Sequence, residues 1–113
     1  MNGTQMTATL AQEKIAENVL KHTHSLCEAL RQDGPDDYKF YPESGRKYHK
    51  IIMETGSGSR SVHAFIDKKT GEVYKSASWK SPAKGVRYDL RLIEQREWLF
   101  EHADWAGGYL YAR

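Results

Sequence analysis

The sequence predicts an α+β fold: an N-terminal helix, an antiparallel β-sheet with a central hairpin, a second helix and a short C-terminal strand. Apolar residues recur at helical spacing before Pro35, whereas aromatic and β-branched residues dominate after it. Residues 61–67 and 72–78 alternate in polarity around the turn DKKTG, which is typical of a hairpin. At 113 residues we expect one domain, with residues 1–8 flexible.

The N-terminal helix is predicted over residues 9–32. Thr9 precedes Gln12 by three positions, which is the spacing of a capping box. Gly34 suits a left-handed cap, and Pro35 cannot continue the hydrogen-bond ladder, so the helix should end there. Cys27 is predicted to be a small buried hydrophobic residue. A nucleophilic thiol would need a base beside it, and none is adjacent in the sequence. The apolar stripe comprises Leu10, Ala11, Ile15, Val19, Leu26 and Leu30.

The strands of the sheet are predicted over residues 38–41, 48–54, 61–67 and 72–78. Pro42 is expected to end the first strand. Alternation in the third strand places Ala64 and Ile66 on the packed face and His63 with Phe65 on the other. The Gly-Ser segment 56–59 has backbone amides that could cup a phosphate, but a plain hairpin loop fits it better.

The end of the chain predicts a helix followed by a strand. Asp89 is expected to be the N-cap of a helix that reaches about His102. Residues 109–113 read as the closing strand, with Tyr109 and Tyr111 packed on the sheet and Arg113 adding a cation. The apolar residues of the helix are Leu90, Ile93, Trp98, Leu99 and Phe100.

Charge and composition restrict the function. The chain has 17 cationic and 15 anionic residues, so any anion site must be local. No apolar run approaches the roughly 20 residues that a membrane span needs, and we expect no secretion signal. The single Cys27 fits a reducing cytoplasm. The histidines are scattered, so we predict no metal and no cofactor. A mean hydropathy of −0.77 with short apolar blocks favours a homo-oligomer in which a second copy covers aromatic segments.

Residues 75–91, KSASWKSPAKGVRYDLR, carry the most concentrated chemistry. Five of these residues are Lys or Arg and only Asp89 opposes them, so the local charge is +4 (five minus one) in a chain of net charge +2. Such cations bind phosphate oxygens, and Trp79 offers a ring on which a base can stack. The alternative is a solvated basic loop whose tryptophan belongs to the core. The residues predicted to bind are Lys75, Trp79, Lys80, Lys84 and Arg87.

Catalysis is not indicated by the sequence. No exposed nucleophile stands near a base, and nothing selects a pair among the fifteen carboxylates. The concentrated feature is cationic and aromatic rather than an acidic metal cluster. The sequence therefore favours binding over turnover, and we predict that the protein is not an enzyme.

Residues 61–90, SVHAFIDKKTGEVYKSASWKSPAKGVRYDL, resemble a segment of many small bacteriophage proteins, and residues 105–111 extend the likeness. Among characterised families this is most similar to the Thoeris anti-defence sponges, which are small and oligomeric, with an N-terminal helical part and an antiparallel sheet. The resemblance implies sequestration, without cleavage, of a cyclic ADP-ribose-type signal made by a TIR-domain immune protein in the host cytoplasm. Some members also hold cyclic di- or trinucleotides at a separate site.

The resemblance also implies roles for individual residues. Trp79 would stack on the base, and Asp89 would make a polar contact to ribose or base. Arg87, Lys84 and Arg113 would be the phosphate partners. Asp89 departs from the pattern, which more often has Asn there, and a carboxylate repels phosphate.

Two other functions use the same residues. A single-stranded nucleic-acid-binding protein would track the phosphate backbone with Lys and Arg while bases stack on the rings. Acidic positions at 36–37 and within 94–104 would repel a long polyanion and favour the smaller ligand. A third possibility is an inhibitor that masks a host enzyme through this surface.

Overall fold

A computed structural model describes residues 3–111, and side chains from residue 10 onward. It confirms the α+β fold. A five-stranded antiparallel sheet in the order β1-β2-β3-β4-β5 carries both helices on one face. The elements are α1 (Gly3–Asp33), β1 (Lys39–Ser44), β2 (Tyr48–Glu54), β3 (Arg60–Asp67), β4 (Glu72–Lys75), β5 (Tyr88–Asp89), α2 (Ile93–His102) and a 3-10 turn (Gly108–Leu110). No helix among residues 3–111 is both long and apolar enough to span a membrane.

The core lies between the helices and the sheet. The second half of the predicted α1 stripe is fully buried there, because it faces alternate residues of the strands. Cys27 is in this core, and burial raises the pKa of its thiol to about 12, as expected for a small hydrophobic residue. Leu10 is 62% exposed, so the stripe is not covered at the beginning of the helix.

The limits of α1 differ from the prediction. The helix begins at Gly3, ahead of the predicted cap at Thr9. Its end is close to the predicted one, but Gly34 is not left-handed. A Cβ on Gly34 would lie 3.2 Å from Cβ of Trp105 and 3.3 Å from the Phe40 ring. Glycine is therefore needed for close packing here, and not for a positive φ.

Two predicted strand features are wrong at particular residues. Pro42 does not end β1 but lies inside it, which is tolerated because β1 is an edge strand. His63 is left unpaired by a bulge, since Ile51 pairs with Ala64 and Ile52 with Val62. The extra residue turns the His63 ring toward the core, where it packs against Phe40.

The hairpin of β3 and β4 is confirmed. Asp67 Oδ1 accepts the backbone N–H groups of Lys69 (2.8 Å) and Thr70 (3.1 Å), and Gly71 has a φ of +77°. The return strand is shorter than predicted. It ends at Lys75, and after it only Ser76 forms a bridge, to Pro82.

The last elements also depart from the prediction. Asp89 belongs to β5, and α2 starts at Ile93 with Leu92 as its N-cap, although its end at His102 is as predicted. The predicted closing strand is a 3-10 turn instead. Tyr109 is buried within it, whereas Tyr111 is 68% exposed. Arg113 lies outside the described residues.

Candidate functional site

The sheet face opposite the helices, here called the open face, has its own small apolar layer. Strand register places Ile52 and Phe65 on it, and both are fully buried although they lie outside the main core cluster. Tyr48 packs edge-on against Phe65 with ring centroids 5.5 Å apart, and Tyr74 packs edge-on against Tyr48 at 6.2 Å. The open face is therefore lined with aromatic rings.

Trp79 lies against charged side chains of this face. The Lys50 Nζ is 5.1 Å from the indole centroid and the Arg60 Cζ is 5.4 Å from it. Both cations are within the range of a favourable cation–π interaction. The indole is 40% exposed and is not part of the core cluster. The ring is thus held on the surface and is partly accessible to a ligand.

A polar network holds Arg60 near the indole. Its Nη2 donates to Glu43 Oε1 at 2.7 Å and its Nε to the Tyr41 hydroxyl at 3.1 Å. The Tyr41 hydroxyl in turn donates to Glu54 Oε1 at 2.6 Å, and this hydrogen bond raises the pKa of Tyr41. Hydrogen bonding to Glu43 raises the pKa of Arg60. Arg60 is therefore a positioned cation whose charge is partly offset.

Lys50 is the less compensated of the two cations. Within the described part of the chain no carboxylate oxygen lies within 4.0 Å of its Nζ. Its ammonium lies 5.9 Å from the Phe65 centroid as well as near the indole. Lys80 follows Trp79 directly and is exposed. Lys50 therefore has no carboxylate partner among the described residues, and Lys80 is an exposed cation next to Trp79 in sequence.

Lys75 does not join Trp79. It pairs with Ala64, whose neighbour Ile51 faces the helices, so its side chain leaves the sheet on the opposite face. There its Nζ lies 4.6 Å from the centroid of the Tyr111 ring, at the edge of a cavity. Basic residues that are close in the sequence therefore lie on different faces of the sheet.

Arg87 is held by main-chain carbonyls. Its Nε donates to Leu110 O at 2.6 Å, and its Nη1 donates to the carbonyls of Lys84 (3.0 Å) and Gly85 (2.6 Å). These bonds tie the basic loop to the C-terminal turn, and they leave only Nη2 for a phosphate. The Lys84 side chain is exposed nearby.

Asp89 has a local structural role. Its Oδ1 accepts the Arg91 backbone N–H at 2.9 Å, and its own N–H donates to Gln95 Oε1 at 2.8 Å. It thereby shapes the turn between β5 and α2.

Sequence reasoning did not identify Lys50 or Arg60 as site residues. Residues 56–59 form a hairpin loop in which Gly58 donates to the Thr55 carbonyl at 2.9 Å. The available signal was the alternation in β2, which puts Tyr48, Lys50 and Ile52 on one face. Pairing that face with the basic loop required the strand register, which linear charge density does not contain.

Among the described residues, no group of three or more His, Cys, Asp or Glu side chains is arranged to hold a metal ion. The open face presents aromatic rings, cations and hydroxyls, with the carboxylates of Glu43 and Glu54 in the Arg60 network.

The sequence profile of a family of unknown function (DUF7717) matches residues 4–112. No curated protein and no solved structure matches the chain.

Proposed function

Because the chain belongs to this family of unknown function, its activity has to be inferred from its own residues, and we propose that it is a non-catalytic binding protein for a phosphate-bearing nucleotide. The observation that carries the proposal is the Trp79 ring, 40% exposed and flanked by Lys50 and Arg60. The ring stacks on the base, and the ammonium groups of Lys50 and Lys80 bind phosphate oxygens.

The contacts of this surface supply part of the binding free energy of a specific complex. Stacking on one ring contributes roughly 1–3 kcal/mol, and each charge-assisted hydrogen bond about 1.5–3 kcal/mol. One ring and one bond from each of two cations therefore give roughly 4–9 kcal/mol before the costs of association. Micromolar affinity, about 8.2 kcal/mol, requires further contacts from the ligand's other side. The pre-positioned Arg60 lowers the cost of association, because less side-chain entropy is lost on binding.

The specific form of the proposal is an anti-defence sponge for a cyclic ADP-ribose-type signal, as the resemblance of residues 61–90 implies. An open sheet face covers only one side of a base, so tight sequestration requires a second copy of the chain to supply the other wall. We therefore propose a homo-oligomer acting in the host cytoplasm. In this form Trp79 is the base-stacking residue.

A second candidate is single-stranded nucleic-acid binding, favoured by the spread of rings and cations over the open face. Lys47 lies 5.3 Å from the Tyr48 centroid, and Lys50 lies between Phe65 and Trp79. Such a series suits successive bases and phosphates better than one compact ligand.

Calorimetry distinguishes the candidates. The sponge binds cyclic ADP-ribose saturably and releases it unaltered on heating, and a hydrolysed product would instead identify an enzyme. Strand binding requires that affinity for oligothymidylates grows with length and falls steeply with salt.

Both candidates share one prediction about Trp79. Trp79→Ala should weaken binding of the ligand by more than about 1 kcal/mol, because the stacked ring is lost. Trp98→Ala is the matched control, since this indole is 44% exposed but stacks on Tyr88 and His102 in the helical layer. Equal binding by the Trp79 variant and the unmodified protein would refute the proposal.

A further inference from the structure

A cavity of about 340 Å³ lies between β3, the end of β4 and the C-terminal turn, and Trp79 is not part of its lining. Trp105 and Tyr111 supply aromatic walls, and His63 and Lys75 supply polar ones. Gly107 lies beside the His63 ring, and its φ of +86° is one that residues with a side chain rarely adopt. The volume is at the small end of the range for organic ligands.

Within the described part of the chain, the cavity lining carries a single positive charge. Lys75 is the only Lys or Arg in its lining among residues 10–111. His63 does not add a second charge near neutral pH, because burial lowers its pKa to about 4. Its Nε2 shares a hydrogen bond of 2.8 Å with the Tyr109 hydroxyl. The charge of Lys75 therefore balances a bound monoanion, but it does not balance a polyanion.

Polar groups for orienting a ligand are also present. The hydroxyls of Ser61 and Ser76 line the cavity, and neither has a hydrogen-bond partner within the described chain. The carboxylate of Asp104 is nearby, but its oxygens accept the backbone N–H groups of Gly108 (3.1 Å) and Tyr109 (3.2 Å). The Asp104 carboxylate is thus occupied by hydrogen bonds within the C-terminal turn, while the serine hydroxyls are available to an anionic group.

We propose that this cavity binds a small planar aromatic monoanion, of the aromatic carboxylate class, with its ring against the Trp105 and Tyr111 walls and its carboxylate at Lys75 and the serine hydroxyls. A ring gains from the aromatic walls, and a carboxylate gains charge-assisted hydrogen bonds from the ammonium and hydroxyls. The site is separate from the nucleotide surface, because Lys75 and Lys50 leave the sheet on opposite faces.

The test uses 2-naphthoate and its neutral isostere 2-naphthamide as probes, titrated by calorimetry. Saturable one-to-one binding of naphthoate at least tenfold tighter than naphthamide is expected. Lys75→Met should remove this preference, since it deletes the charge and keeps the stem. Lys84→Met, an exposed lysine outside the cavity, and Trp79→Ala should preserve it.

A second measurement needs no variant. Amide and ring NMR signals of Trp105, Gly107 and Tyr111 should shift on addition of naphthoate, and those of Trp79 should not. The proposal is overturned by absent saturable binding, by equal affinity for the two probes, by a preference that survives Lys75→Met in a folded variant, or by shifts confined to other surfaces. Loss of nucleotide binding in Trp79→Ala with naphthoate binding intact separates this proposal from the proposed function.

Discussion

Replacing His63 by glutamine should reduce the loss of unfolding free energy that occurs as the pH is lowered. The imidazole packs between Phe40 and Tyr109, with ring centroids 5.6 Å from each. Burial lowers its pKa from 6.5 to about 4, so the folded protein keeps it neutral while the unfolded chain takes up a proton below pH 6.5. Stability therefore decreases as the pH falls from 6.5 toward 4, and this contribution levels off below 4.

The size of the effect follows from the two pKa values. Each pKa unit corresponds to about 1.36 kcal/mol, and linkage over the interval from pH 7.5 to pH 5.0 gives a loss of about 2 kcal/mol. Burial also lowers the pKa of His49, so the unmodified protein has a further contribution of the same sign. The difference between the unmodified protein and His63→Gln isolates the His63 part.

Urea unfolding at pH 7.5 and 5.0 measures the contribution of His63 to the pH dependence of stability. The loss of unfolding free energy between the two pH values should be about 2 kcal/mol smaller in His63→Gln than in the unmodified protein. Ser25→Ala, at an exposed position on α1 that carries no titratable group, should leave the loss unchanged. Equal losses in the unmodified protein and His63→Gln would show that the imidazole titrates freely, and the argument from burial would be wrong.

Two further predictions concern residues of the basic loop and the core. Arg87→Met should lower the free energy of unfolding by about 1–2 kcal/mol in urea titrations, because three hydrogen bonds to main-chain carbonyls are lost. Lys84→Met should change it by less than about 0.5 kcal/mol, and a similar effect of both would contradict the anchoring role. Cys27 should react with a disulfide reagent only at the rate of unfolding, because its thiol is buried with a pKa of about 12; rapid labelling of the native protein would refute this.

The parts of the fold that sequence could predict are those determined by local pattern. The end of α1, strand β2 and the turn starting at Asp67 follow from periodicity and turn chemistry, and the structure places them there. The position of the His63 side chain could not be predicted from local pattern. A bulge moves one residue to the other face, and it depends on how two strands pair.

The same distinction applies to the candidate site. Trp79 could be singled out because cations surround it in sequence, but its actual cationic neighbours, Lys50 and Arg60, come from β2 and β3. For Arg87 the sequence was misleading. A guanidinium in a basic loop suggests an anion partner, whereas in the folded chain it donates to main-chain carbonyl oxygens. Charge density identifies a region, and only tertiary contacts assign each charge.

The position of Pro42 limits how the sheet can grow. One border strand, β1, contains an imino acid that cannot donate to an added strand, and the other, β5, has only two residues, Tyr88 and Asp89. Neither margin is a good template for extending the ladder into another chain. Copies of this protein that meet should therefore join through helical or face-on contacts, and a continuous intermolecular sheet is disfavoured.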